Sequence, residues 1–151
     1  MGNIFNDDFI DFLKALNKSG VEYVLVGGYS VILHGYSRTT GDMDILVNKT
    51  EANYNMLKNA FLQFGMPMFD MNKENFLSNP EMNVFTFGRQ PVAIDIMTEI
   101  KGADFMNLYE NATIVDVEGL KVRTIHLQNL IEVKKASGRH KDLDDVEKLD
   151  S

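Results

Sequence analysis

The chain has 151 residues with 15 Lys and Arg against 22 Asp and Glu, a formal net charge of −7, 44% hydrophobic residues and 25% charged ones. That is the profile of one globular domain, residues 1–151, and at this length a compact fold buries about 68–70% of its unfolded surface without a disulfide or a structural metal. There is no cysteine, which excludes a thiolate nucleophile and any cysteine-ligated zinc or iron–sulfur site, so the chemistry falls to oxygen and nitrogen.

Asn6-Asp7-Asp8 opens a helical pattern in which Phe9, Phe12, Leu13 and Leu16 share a face, and Gly20 suits its end, which predicts a helix over about 7–18. Val21 to Val26 is a β-branched apolar run ended by Gly27-Gly28, and it reads as a strand buried on both faces. A second helix is expected from Tyr29 to His34, then a strand at Ile45-Leu46-Val47 with Asp42 and Asp44 leading into it. Thr50 suits the cap of a third helix from Glu51 to about Phe64, stopped by Gly65 and Pro67. Residues 68–82, rich in Met, Asn and Phe, have weak periodicity and read as irregular, with one helical turn around Lys73–Leu77. Val84–Gly88 and Val92–Met97 are expected as strands joined by the Arg89-Gln90-Pro91 turn. A short helix near Ala103–Glu110 follows, then a hairpin at Ile114–Val117 and Lys121–Thr124 that turns at Glu118-Gly119. Helices near Leu127–Ala136 and Lys141–Leu149 end the chain, which makes the class α/β (α+β) with a mixed sheet flanked by helices.

No stretch approaches the roughly 18 apolar residues of a membrane span. The N-terminal MGNIFNDDFIDF is acidic where a signal peptide is basic, so a cytoplasmic location is expected. The charge of −7 argues against a broad grip on nucleic acid, whose affinity comes mainly from Lys and Arg.

A strand that breaks at Gly27-Gly28 and enters a helix leaves backbone N–H groups at a helix start, a seat for phosphate to which Ser30 adds a hydroxyl; a plain tight turn is the alternative. Asp42 and Asp44 stand two apart at a strand start, so both carboxylates face one side. At about 4 Å two carboxylates repel by roughly 4 kcal/mol at an effective dielectric near 20. A divalent cation offsets that, and hard oxygen donors without cysteine select Mg²⁺ or Mn²⁺; the alternative is two solvated acids. Asp95 lies between Ile94 and Ile96 in a run too apolar for a solvated strand, where a charge must be paired or metal-bound. Beside the Asp42/Asp44 strand it would complete a two-metal set and serve as general base; otherwise Arg89 or Arg123 satisfies it. Leu127, Leu130, Ile131 and Lys134 share one helical stripe, and a lysine there wants an anion. Lys134, Arg38 and Lys141 are read as neutralising a triphosphate, with Thr40 beside Arg38 in the same nucleotide site; the alternatives are a Lys134 ammonium that snorkels past the helix end and a Lys141 paired with Asp144 or Asp145. A patch of Lys134, Lys135, Arg139 and Lys141 is the candidate surface for a tRNA end. His34 and His126 read as structural, the latter as a helix cap.

Gly27-Gly28, then thirteen residues, then Asp42-Met43-Asp44-Ile45, then Ile94-Asp95-Ile96, resembles the signature of the DNA polymerase β-like nucleotidyltransferase superfamily. The tail Leu130-Ile131-x-x-Lys134 with Gly138-Arg139-His140-Lys141-Asp142-Leu143-x-Asp145 is similar to its small bacterial branch of minimal nucleotidyltransferases and abortive-infection toxins. The resemblance spans about 21 to 149 and implies a nucleotidyltransferase-like fold in which Asp42, Asp44 and Asp95 hold two Mg²⁺ ions and Gly28-Ser30 cradles the triphosphate. It implies transfer of a nucleoside monophosphate from an NTP to an acceptor hydroxyl, with pyrophosphate released. Larger members carry an added helical domain, so acceptor recognition falls to loop 68–82, a homodimer or a partner protein. The acceptor is a tRNA end, a protein hydroxyl or a small molecule. A non-catalytic, antitoxin-like nucleotide-binding protein and a metal-dependent phosphohydrolase are the two alternatives.

Overall fold

The computed structural model of the chain describes residues 6–36, 40–89 and 92–150. Asn6 caps α1 (Asp7–Lys18) by accepting from the Phe9 amide at 2.9 Å, and Asp7 and Asp8 in the first turn complement the helix dipole. Gly20, at φ 72°, lets the chain reverse, and the Val21 amide donates back to the Leu16 carbonyl at 3.0 Å. Val21 is therefore spent closing the helix, and β1 runs over Tyr23–Val26, two residues shorter than expected.

The chain then passes through α2 (Gly27–Leu33), β2 (Met43–Val47) and α3 (Glu51–Phe64), which Thr50 caps and Gly65 ends at φ 84°. In the irregular stretch α4 (Lys73–Leu77) forms as expected, capped by Asn72 and anchored by fully buried Met71 and Phe76. Next come β3 (Val84–Arg89), β4 (Val92–Met97), α5 (Phe105–Glu110), β5 (Thr113–Val117), β6 (Leu120–Thr124), α6 (Leu127–Ser137) and α7 (His140–Asp150). The turn expected at Arg89-Gln90-Pro91 lies partly outside the described residues. His126 caps α6 by accepting from the Gln128 amide at 3.1 Å, and the His34 ring bonds the Ile125 carbonyl at 2.7 Å.

The six strands form one mixed sheet in the order β3-β4-β2-β1-β6-β5. Strands β1/β6 and β2/β4 are parallel, whereas β1/β2, β3/β4 and β5/β6 are antiparallel. Alternation along the strands divides the interior into two layers. Tyr23, Leu25, Met43, Ile45 and Ile96 face α1 and α3, where Phe12 meets Phe61 edge-on at 5.5 Å. Val24, Val26 and Leu46 face the aliphatic layer formed with Leu108 of α5 and Leu130 and Ile131 of α6. The second layer carries the site.

Candidate active site

Strands β2 and β4 run parallel with Asp44 opposite Asp95, so the two side chains leave the same face of neighbouring strands. Burial raises the Asp44 carboxyl first; the Asp95 charge, a hydrogen bond with Asp95 and the Asp42 charge add to it, and Lys141 pulls the other way, leaving it at about 7. Two carboxylates pressed into one partly buried place share a proton when no cation balances them. On the far side of Asp95, Thr86 of β3 stands opposite in register and donates its hydroxyl to Asp95 Oδ1 at 2.6 Å. Arg123, an alternative partner for Asp95, lies over the Tyr109 ring instead, 4.2 Å from its centroid.

Val26 stands opposite Asp44 across β1/β2, and Gly27 follows it at φ 70°. A Cβ at Gly27 would overlap the Asp44 carboxyl, so the glycine is required both by its backbone and by the space its neighbour fills. Gly28 is buried in the first turn of α2. The fully buried Ser30 hydroxyl donates to the Gly27 carbonyl at 2.6 Å, within its own helical turn. Asp42 precedes β2; its charge is felt by Asp44 and helps burial raise the Tyr29 phenol. The Thr40 hydroxyl donates to the Asp42 carbonyl at 3.5 Å, and Arg38 lies outside the described residues. Among the described residues no three acidic or histidine side chains already stand as a metal cage.

Lys134 borders the cavity beside Asp44 and reaches it already paired. Its ammonium lies 3.2 Å from Asp142 Oδ1 and 3.1 Å from Asp145 Oδ2, with the three side chains 6%, 1% and 4% exposed. A buried ammonium needs such partners, and the tight turn at Gly138, φ 70°, folds α7 back onto α6 to supply them. Burial works to raise Asp142, but hydrogen bonds from Arg139, Ser137 and Lys134 outweigh it and hold the carboxyl at about 2. The Lys134 charge is thus shared with Asp142 and Asp145 in the α6–α7 joint.

A cavity of about 370 Å³ opens between these parts, with Val26, Gly27 and Asp44 on one wall and Leu130, Val133 and Arg139 on another. The size suits a small ligand, and the apolar walls with a few polar groups are what such sites use.

The sequence profile of a family described as nucleotidyl transferases of unknown function (DUF2204) matches residues 5–151. The chain belongs to that family. No curated protein sequence matches this nucleotidyltransferase-family chain. Among solved structures it is similar to a Thermotoga maritima protein assigned to the nucleotidyltransferases, with 14% identity, a TM-score of 0.61, and 97% of this chain and 94% of that one covered. The antibiotic-resistance factor ANT(2'')-Ia superposes with a TM-score of 0.58 at 13% identity, over 94% of this chain and 80% of the other. The lincosamide antibiotic adenylyltransferase LnuA, solved with lincomycin, has a TM-score of 0.56 at 15% identity and covers 99% of each chain. At such identities these likenesses are likenesses of fold.

In this nucleotidyltransferase-family chain, Arg139 and Lys101 are residues that sequence reasoning left out of the nucleotide site, although both line the cavity. Arg139, with a 63% exposed side chain, donates to Asp142 Oδ2 at 2.6 Å, and that hydrogen bond, followed by the Asp142 and Asp44 charges, raises its pKa. Its place beside Gly138 was legible as a basic cluster, but only the α6–α7 turn aims that cluster at Asp44. Lys101 had no local signal; it reaches the cavity because Gly102, at φ 92°, packs its bare Cα where a Cβ would strike Ala136.

Proposed function

We propose that the chain moves a nucleoside monophosphate from an NTP to an acceptor hydroxyl and releases pyrophosphate, in a reaction dependent on Mg²⁺ or Mn²⁺. The observation that carries the reading is the Asp44–Asp95 pair, in register across β2 and β4, with Asp44 lining a cavity that Arg139 also borders and the Lys141 charge acting on it. Membership of a nucleotidyl transferase family supports it. So does the fold shared with an adenylyltransferase over nearly the whole of both chains.

The donor set fits a hard divalent cation: a carboxylate at Asp44 that burial, and then the Asp95 charge, drives toward protonation, its neighbour Asp95, a third at Asp42, and no sulfur. Asp42, Asp44 and Asp95 would hold it. A divalent cation held by them would supply positive charge against the phosphate oxygens and make an attacking hydroxyl more acidic. Arg139 and Lys141 take the phosphate oxygens, with Arg139 able to present two N–H groups at once. Gly27 leaves the backbone open beside the phosphates, and Val26, Leu130 and Ile100 offer apolar surface to the base or sugar. Asp95, with one oxygen held by Thr86, takes the proton of the acceptor hydroxyl. The acceptor oxygen then bonds to the α-phosphorus as the bond to the bridging oxygen breaks, and pyrophosphate leaves with that electron pair.

Thermal unfolding with each of the four NTPs, with and without Mg²⁺, tests the site. At 100 times Kd a ligand adds about 2.7 kcal/mol, or roughly 5–11 °C for a chain of this size. One NTP should raise Tm in a Mg²⁺-dependent way, and Asp44→Asn should abolish the rise. Incubation of that NTP, α-labelled, with lysate should then move label onto an acceptor; binding without transfer would favour the antitoxin-like reading.

A further inference from the structure

We infer that the cavity beside Asp44 selects a guanine nucleotide, and that Glu99 and Lys101, on the loop after β4, read the Watson–Crick edge of its base. The inference rests on nucleotidyl transfer at the Asp44–Asp95 pair and names the NTP that the site takes.

The two ends of the cavity suit different parts of a nucleotide. Asp44 and Arg139 mark one end and the Lys141 charge acts there, so the phosphates belong beside them. On β4, Met97 follows Asp95 on the same face, about 7 Å further along by the strand rise, and packs against the aliphatic layer. Beyond it the cavity wall continues as Glu99-Ile100-Lys101, with Leu130 and Val133 of α6 lining the same space. A planar base fits between these apolar surfaces of sheet and helix, and its polar edge then comes to the loop.

Most polar side chains of the lining are already engaged, Asp44 with Asp95, and Lys134, Ser137 and Arg139 with Asp142. Glu99 and Lys101 make no hydrogen bond or ion pair among the described residues. The loop that presents them is held at both ends. The Thr98 amide donates to the Asn83 carbonyl at 3.0 Å, Ile100 bridges to Ala103, and Gly102 lies against Ala136 of α6. A carboxylate and an ammonium two residues apart therefore offer two acceptor oxygens beside a donor, in a place set by the fold. Guanine matches that pattern: its adjacent N1–H and N2–H donate to the two carboxylate oxygens, and O6 beside them accepts from the ammonium. Against adenine or cytosine, one carboxylate oxygen would accept from the exocyclic amine while the other met the lone pair of a ring nitrogen. Uracil has a single N3–H between two carbonyl oxygens, so the second carboxylate oxygen would meet one of those. A triphosphate placed here would meet the Glu99 charge as well as that of Lys101, so the pair suits a neutral base edge.

Calorimetric titration of the whole chain with GTP, ITP, ATP, CTP and UTP, each with Mg²⁺, tests the assignment. GTP should bind most tightly, and ITP, which lacks the 2-amino group, about 10-fold more weakly, the worth of one hydrogen bond to a charged partner. Glu99→Gln puts an N–H₂ where guanine also presents N–H, so it should weaken GTP by about 10-fold or more and bring it level with ATP. The Tm of the nucleotide-free protein should not move, since Glu99 has no partner among the described residues to lose. Lys101→Met should weaken GTP while leaving the binding of Mg²⁺-tripolyphosphate as it is. Equal affinity for all the nucleotides, or a GTP-to-ATP ratio unchanged in Glu99→Gln, would overturn the base assignment and leave nucleotidyl transfer standing. Loss of tripolyphosphate binding in Lys101→Met would overturn it too, by placing that lysine on the phosphates. Failure of every nucleotide to bind the parent protein would overturn the transfer reading along with it.

Discussion

Asp44 bears the largest electrostatic cost in the site, and that cost is measurable. Its carboxyl ordinarily titrates near 3.8 but sits at about 7 in the fold, so the folded protein holds a proton that the unfolded chain has lost. Metal-free stability therefore declines as pH rises from about 4 to about 7 and levels off beyond. Asp44→Asn removes the charge, and in EDTA at pH 7–8 it should be more stable than the parent by on the order of 2 kcal/mol while gaining nothing from Mg²⁺. Urea unfolding against pH for both proteins checks this; a parent curve flat from pH 4 to 7 would sink it. The same residue explains Gly27, whose missing side chain is the space the Asp44 carboxyl fills.

At the scale of elements, the joint between α6 and α7 does more than cap the sheet. Lys134, Asp142 and Asp145 form a buried set, and Arg139, pinned to Asp142, is held where its charge reaches Asp44. Removing one partner of such a set strands the others, so Lys134→Met should cost about 3–5 kcal/mol, read by urea unfolding at pH 7. Asp142 adds a pH signature: its folded value of about 2 lies below the ordinary 3.8, so its stabilisation is present above about pH 4 and is lost as pH falls toward 2. In Lys134→Met the acid transition should begin at higher pH, because one of the hydrogen bonds that hold Asp142 down is gone. The stripe that put Lys134 among Leu127, Leu130 and Ile131 was visible in the sequence, but its partners lie on the next helix, and no local pattern showed that they would neutralise it.

For the whole molecule, the net charge of −7 favours an acceptor that is not a polyanion. Transfer to a small hydroxyl compound should change little between 50 and 200 mM salt. A nucleic-acid acceptor held by 6–10 phosphate contacts would lose roughly 10³–10⁵ in affinity over the same range. Initial rates at both salt concentrations, with acceptor below saturation, decide between them. Among the described residues no helix is long and apolar enough to cross a membrane.

Short-range signals carried the secondary structure. Thr50 and Gly65 bound α3 in the sequence as in the fold, Asn72 starts α4, and the Glu118-Gly119 turn joins β5 to β6, because caps and turns depend on a few adjacent residues. The Asp42-x-Asp44 spacing and the isolated charge of Asp95 were legible for the same reason, since period-two alternation and apolar context are local properties. The parallel register that sets Asp44 against Asp95, the Thr86 hydroxyl beside them, the inward turn of Ser30 and the neutralisation of Lys134 all required the folded sheet order and helix packing. Those relations join residues far apart in the chain. Their partners are chosen by which strands pair and which helices pack, not by the residues on either side.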